Sequence, residues 1–296
     1  MKKTALIVAI AFFMAAGSSK AVSASPDQST AVRRRLAMES AARDNPFLIL
    51  PHRPNYILPL AYNLHPNDEA SGLEPGTLDE LEMTFQVSLK VHLSELFPGN
   101  RGNLYAAYTS RSWWQAYSGD RSRPFRETNH EPELFLLYDT DWSVLGLRAS
   151  SVIFGVSHQS NGQDGALSRS WNRIYTSIIL ERGNAIVSVK PWYRIPEREK
   201  DGPDDPDGDD NPDIRTYMGS GELGVFFRRA RHTLTLTLRN NLRRENKGSV
   251  ELGYSYPLTA KMKGYLQIFD GYGESLIDYD HRMSRVGVGI LLADWL

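Results

Sequence analysis

Between Leu81 and Leu93 the side chains alternate without a break. Leu81, Met83, Phe85, Val87, Leu89, Val91 and Leu93 are apolar, and Glu82, Thr84, Gln86, Ser88, Lys90 and His92 between them are polar. A period of two places each set on one side of an extended strand. The polar side carries a carboxylate, an ammonium and an imidazole, so the strand needs apolar surroundings on one side and a polar, well-filled interior on the other. The same period returns at Leu234, Leu236 and Leu238, at Val250, Leu252, Tyr254 and Tyr256, and at Val286, Val288, Ile290 and Leu292. Less regular candidates lie at 56–63, 103–115, 132–138, 148–158, 171–181, 185–193, 215–227 and 264–269. The total is about twelve strands of the roughly 10-residue kind that cross a bilayer in a closed ring. A soluble β-sandwich also alternates, but with shorter strands and without so many ionisable groups on the polar faces. The expected fold class is all-β, a transmembrane antiparallel β-barrel.

The chain offers no helical way across a membrane. Its longest apolar run, Ala5 to about Ala16, follows Lys2 and Lys3 and precedes small residues ending at Val22-Ser23-Ala24. That layout is a secretory signal peptide, too short for a spanning helix of about 20 residues. The expected division is a signal peptide over 1–24, a periplasmic N-terminal segment over 25–50 and a barrel over 51–296. With no cysteine, a secreted chain has neither a disulfide nor a thiolate nucleophile. A formal charge of −1 leaves no basic surplus, so no nucleic-acid partner is expected. The mean hydropathy of −0.41 decides nothing, because lumen and lipid faces average out in such barrels.

Trp113, Trp114, Trp142, Trp171, Trp192, Tyr193, Tyr272, Tyr279 and Trp295 recur near strand ends and are expected to form girdles at the membrane interfaces. Glu197 to Asp213, EREKDGPDDPDGDDNPD, reads as an exposed, solvated acidic loop. Asp205, Asp207, Gly208 and Asp209 look superficially like an EF-hand opening, but the prolines and the missing final Glu disfavour it. Glu82, Lys90, His92 and Arg285 crowd a narrow lumen, which argues against an open pore.

The chemistry concentrates in Ser157–Tyr175. His158 and Ser160 are two apart, and the steps back to Val156, Phe154 and Val152 are apolar, so both point to the lipid side. Asn172 is in phase with Ile174, Ile178 and Leu180, and a hairpin centred near Gly165 sets it about opposite His158. Ile153 and Thr176 fall on the wrong sides of this parity. Polar groups converging on an apolar exterior suggest a site, because they are costly there otherwise. A serine hydroxyl needs a base to take its proton, and an imidazole needs a partner to fix its tautomer, which an amide oxygen can do. His-x-Ser is a common spacing, and the same residues also read as a polar barrel rim.

The run His158-Gln159-Ser160-Asn161-Gly162, followed by Ser168-Arg169-Ser170-Trp171-Asn172-Arg173, resembles the signature of the outer membrane phospholipase A family. Pro124-Phe125-Arg126-Glu127-Thr128-Asn129, Lys190-Pro191-Trp192-Tyr193, Asp210-Asn211-Pro212-Asp213-Ile214 and the segment from Gly271 to Tyr279 are similar to other blocks of it. The resemblance implies a twelve-stranded barrel of the Gram-negative outer membrane. It further implies a calcium-dependent homodimer, acting as phospholipase A1/A2 and lysophospholipase on membrane phospholipids, with its site toward the outer leaflet. On this chain Ser160 would attack, His158 would shuttle the proton and Asn172 would orient His158. The Gly162 backbone N–H and a calcium-bound water would stabilise the oxyanion. Ca2+ would be held by Ser168, by the Gln163 carbonyl and by the carbonyl of the partner subunit's Ser122.

Three positions depart from the family pattern. Gln163 stands where arginine is common, which matters little if its carbonyl is the ligand. Ser110 stands where well-known members carry a glutamine that bonds across the dimer interface. The chain ends in Trp295-Leu296 rather than a terminal Phe. Gly273-Glu274-Ser275, near Asp278, lacks a full G-x-S-x-G elbow and reads as structural. The alternative function is a catalytically silent porin-like or structural barrel. An outer-membrane protease would want acidic and histidine pairs in its loops, and Asp209, Asp210 and His130 form no evident pair.

Overall fold

Alternation extends through thirteen strands: β1 (Leu50–Pro51), β2 (Asn55–Asn63), β3 (Leu81–Glu95), β4 (Gly102–Trp114), β5 (Phe125–Val144), β6 (Leu147–Ser160), β7 (Ser170–Arg182), β8 (Ala185–Ile195), β9 (Gly221–Arg229), β10 (His232–Asn240), β11 (Gly248–Pro257), β12 (Lys263–Tyr272) and β13 (Arg282–Ala293). The computed structural model describes residues 48–97, 102–119, 122–202, 205 and 208–294, together with Val32, Arg35, Glu39 and Asn45. The expected signal peptide, most of the expected periplasmic segment, Asp207 and Trp295-Leu296 lie outside the described residues.

From β2 to β13 each strand pairs antiparallel with the next, and β13 pairs back onto β2 from Arg285↔Asn63 to Ala293↔Asn55. These twelve strands form a closed ring. The short β1 continues the course of β2 along β3, at Leu50↔Lys90 and Pro51↔Leu89, beyond a break that contains Pro54. Pro59, which has no N–H to donate, lies at the register shift between Leu58↔Thr84 and Ala61↔Glu82.

The parity of β3 is as its sequence requires. Glu82, Thr84, Ser88 and Lys90 are buried in the lumen, while Val87, Leu89 and Leu93 are exposed on the outer wall. The lumen is filled rather than open. Arg53 binds Glu131 at 2.7 Å and Glu133 at 2.7 Å, His52 binds Glu133 at 2.9 Å, and Arg126 binds Glu82 at 3.0 Å. Lys90 reaches Glu39 at 2.9 Å, and Arg285 pairs with Glu274. A cavity of about 360 Å³ remains among these groups. Ile153, on the wrong side of the expected parity, packs inside against a cluster that includes Tyr105, Phe135, Trp171, Tyr175 and Trp192.

Three expectations are corrected. β5 runs from Phe125 to Val144, far beyond 132–138, because its lumen residues Glu127, Asn129, Glu131 and Glu133 are buried polar groups that disguise the strand. The stretch from Arg215 begins as the helix α1 (Ile214–Met218), not as strand. At Gly219 φ is 74°, and a Cβ would lie 2.3 Å from the Asn240 carbonyl oxygen, so only glycine fits and β9 starts after it. Trp113, Trp171, Trp192 and Tyr279 are buried and so belong to no girdle, whereas Trp142 and Tyr193 are exposed as expected. Trp113, Trp171 and Trp192 fall on the lumen side of the parity, where Arg111 covers Trp113 and Arg173 lies over Trp171 and Trp192.

The two rims differ. At one, Leu145-Gly146, Gly183-Asn184 and Ala230-Arg231 are two-residue turns, and the strand ends leading to both chain termini lie there too. Leu145 and Gly146 both have positive φ, 51° and 76°, as a tight hairpin turn requires. At the other rim the connections are long, including 64–80, 161–169 and 196–220.

Candidate active site

The end of β6 and the start of β7 meet at the long-loop rim in the register His158↔Asn172 and Ser160↔Ser170. Phe154, Val156 and Ile174 are exposed below them on the same outer face. His158 Nδ1 lies 2.9 Å from Asn172 Oδ1. An amide oxygen only accepts, so the ring proton sits on Nδ1 and Nε2 is left as the acceptor a general base needs. Ser160 follows two residues on, on the same face, and among the described residues nothing hydrogen-bonds its hydroxyl.

The neighbouring strand contributes as well. β5 pairs with β6 at His130↔Ser160 and at Glu133↔Ser157, but the ladder skips Glu131 and Pro132. Pro132 has no N–H, so the sheet loosens beside His158. His130 Nδ1 is 2.6 Å from the Tyr108 hydroxyl. Gly162 has φ 66°, and a Cβ on it would be 3.9 Å from His130 Nε2. On the lumen side, Ser157 donates to Glu131 at 2.9 Å and Arg173 donates to Glu131 at 2.7 Å. The outer-face residues therefore ride on strands locked from within.

The connection 161–169 is organised by Asn161. Its Nδ2 donates to the Leu167 carbonyl at 2.9 Å, and its Oδ1 accepts from the backbone N–H of Arg169 at 2.9 Å and of Gln163 at 3.3 Å. Ser168 donates to Asp210 Oδ2 at 2.8 Å, and Ser170 donates to the same oxygen at 3.1 Å. Asp210 is paired with Lys200 at 2.6 Å, and Arg194 binds Asp209. The acidic segment is thus docked on the site rather than merely solvated. Asn172 is linked to the segment as well, because its Nδ2 donates to Glu197 Oε1 at 2.9 Å. Tyr279 donates to Asp213 at 2.7 Å, and burial, reinforced by that carboxylate, pushes its phenol well above the usual range, so it stays a donor.

The structure brings together His158 and Asn172, and places Ser160, Gly162, Gln163 and Ser168 on the same hairpin. Ser122 is exposed on the connection between β4 and β5, and no described hydrogen bond links it to Gln163 or Ser168. Among the described residues no three His, Asp or Glu side chains form a metal cage. The loop instead offers hydroxyl, carbonyl and single carboxylate oxygens. Ser275 is buried and donates to Asp278 at 2.6 Å, which fixes its turn, so it is structural. Asn161 and Glu197 carry no signal of their own in the sequence, and Asp210 reads there only as part of a block and of an unpaired acidic run. Asn161 stood within the quoted motif, but nothing in strand periodicity marks a loop residue that folds back.

A closed ring with an apolar outer wall, a filled polar lumen and a Ser-His-Asn cluster on its lipid face defines a membrane-spanning barrel of the outer-membrane kind with hydrolase-like side chains. Residues 32–292 match the family described as Phospholipase A1. The phospholipase A1 of Klebsiella pneumoniae is 41% identical over 255 residues, covering 85% of this chain and 84% of that protein. The Salmonella typhi outer membrane phospholipase, solved as a dimer with bound calcium, has a TM-score of 0.78 at 39% identity over 87% of this chain and 97% of that one. An active-site mutant of the Escherichia coli outer membrane phospholipase A, with an asparagine changed to alanine, has a TM-score of 0.77 at 40% identity over 86% and 95%. The chain belongs to the phospholipase A1 family, a family of carboxylic ester hydrolases.

Proposed function

We propose that the chain hydrolyses acyl esters of phospholipids at the outer leaflet of a Gram-negative outer membrane, as phospholipase A1/A2 and lysophospholipase, with Ser160 as nucleophile, His158 as base and Asn172 as the orienting group. The His158–Asn172 contact, beside Ser160 on an apolar wall, carries this reading. Short turns at one rim and long loops at the other support the orientation, since outer-membrane barrels keep short turns in the periplasm.

The chemistry follows from these atoms. Ser160 Oγ attacks the ester carbonyl carbon while its proton passes to His158 Nε2. The carbonyl oxygen becomes an oxyanion, and this reading assigns the Gly162 backbone N–H as its donor. Asn172 Oδ1 holds the imidazolium through Nδ1–H. When the C–O bond breaks, His158 returns the proton to the leaving alkoxide, and the lysophospholipid departs. Water repeats the sequence on the acyl-serine, giving a fatty acid and free Ser160.

The residues present fit calcium, because Ser168 Oγ, the Gln163 carbonyl and Asp210 are hard oxygens of the kind it takes. When bound, the ion supplies positive charge beside the developing oxyanion. The calcium-bound dimer of the Salmonella relative supports a homodimeric active form, in which the partner subunit's Ser122 adds a carbonyl. The filled lumen disfavours an open pore, the porin-like form of the alternative reading. The deciding experiment is calcium-dependent hydrolysis of phospholipid in mixed micelles by wild type and Ser160→Ala, with barrel formation checked by heat-modifiable gel migration. Loss of hydrolysis by at least about 10³-fold with unchanged migration is expected, and retained activity would overturn the assignment.

A further inference from the structure

We propose that Glu197 is a positioning residue of the same site, forming a relay Ser160–His158–Asn172–Glu197 that ends on a carboxylate. The inference rests on the reading of the triad given above. An asparagine side chain has two nearly isosteric ends, and only one of them, the oxygen, can orient a histidine that must keep its proton on Nδ1. In a lipid-facing position with no further partner, the amide could turn over and present Nδ2 to His158, which would remove the base. Glu197 prevents this. An ionised carboxylate accepts and never donates, so at 2.9 Å from Asn172 it fixes Nδ2 toward itself and therefore Oδ1 toward His158. Its charge also polarises the amide, making Oδ1 a better partner for the imidazolium that forms during attack.

Glu197 is itself held in place. β8 ends at Ile195, which pairs directly with Asn172, and Pro196 turns the chain there. The next residue, Arg198, binds Asp201 at 2.9 Å and Asp205 at 2.9 Å, and its carbonyl accepts from the Asp209 N–H at 2.7 Å. At Gly208, φ is 138° and a Cβ would come within 2.9 Å of the same Arg198 carbonyl, so the two limbs of the loop lie against each other. Glu197 is half-buried, at the place where this folded loop meets the outer wall. The acidic segment therefore has a catalytic consequence: it turns an amide-based triad into one backed by a negative charge, as an aspartate-based triad would be.

The test compares Glu197→Gln, Glu197→Ala, Asn172→Ala and the double variant Glu197→Ala/Asn172→Ala, with Ser160→Ala as the inactive reference. Glu197→Gln keeps an acceptor for Nδ2 but removes the charge, so a smaller loss than in Glu197→Ala separates orientation from polarisation. Glu197→Ala should lower kcat about tenfold, the scale on which a partner one step removed from the reacting groups acts, with KM and the calcium half-saturation unchanged. In the Asn172→Ala background the same substitution should have no further effect, since a residue acting through Asn172 has nothing left to act on. Full additivity of the two losses, or an undiminished kcat in Glu197→Ala, would refute the relay. If Ser160→Ala and Asn172→Ala both retain activity, it is the triad itself that fails. Heat-modifiable migration of each variant shows that the barrel has formed.

Discussion

Asn161 shows how much a single buried side chain decides. It satisfies the Leu167 carbonyl and two backbone N–H groups at once, and it also reaches Glu127 at 3.4 Å. Asn161→Ala would leave these groups without partners, at about 1–3 kcal/mol for each one that stays buried. The hairpin end carrying Gly162, Gln163 and Ser168 should then loosen. The calcium concentration for half-maximal hydrolysis should rise by about tenfold or more, with barrel migration unchanged; an unaltered calcium titration would mean that the loop holds its shape without Asn161. Asn172→Ala should cost less than Ser160→Ala, because a poorly oriented His158 still acts as a base, and equal losses in the hydrolysis assay would give Asn172 a larger part. His158, Ser160 and Asn172 were legible in the sequence because a period of two and a hairpin centre fix which face each side chain takes. Glu197 was not, since its place depends on a loop fold stabilised by pairs such as Arg194 with Asp209 that no periodicity encodes.

At the scale of elements, the strands with clean alternation, β3, β10, β11 and β13, could be read directly, and β5 and β9 could not. In β5 the lumen side is so charged that the apolar outer side alone marked the strand, and ahead of β9 the short helix α1 occupies residues that alternate passably. Close packing between strands was also hidden. Gly155 of β6 lies opposite Tyr175 of β7, and a Cβ on it would meet the Tyr175 ring at 2.5 Å. Lys190 sits 4.0 Å over that same ring, so the phenol has little freedom to move aside. Gly155→Ala should therefore destabilise the barrel by about 1–3 kcal/mol, the usual range for overpacking. The midpoint of the heat-induced shift in gel mobility should fall while activity at low temperature persists, and an unchanged midpoint would show that Tyr175 yields freely.

For the whole molecule, the calcium and dimer proposals are one equilibrium. If the partner subunit's Ser122 completes the ion site, calcium favours the dimer, and dimer formation raises calcium affinity by the same factor. Ser168→Ala should weaken both together and leave the monomeric barrel intact, as crosslinking in detergent across a calcium series can show; a wild-type dimer fraction indifferent to calcium would dissolve the link. The ring as a whole was legible because twelve amphipathic strands have few other ways to satisfy their edges, but its closure is a property of the ends. The seam joins β2 to β13, through pairs such as Leu291↔Tyr56 and Ala293↔Asn55. During synthesis the strand made first has no lasting neighbour on that side until the strand made last has emerged. Every shorter length of this chain is a sheet with two bare edges, open to pairing with other copies. The molecule therefore depends on being kept apart from its own kind until its final strand arrives, and a chain cut short before β13 keeps the edge of β2 open to other copies.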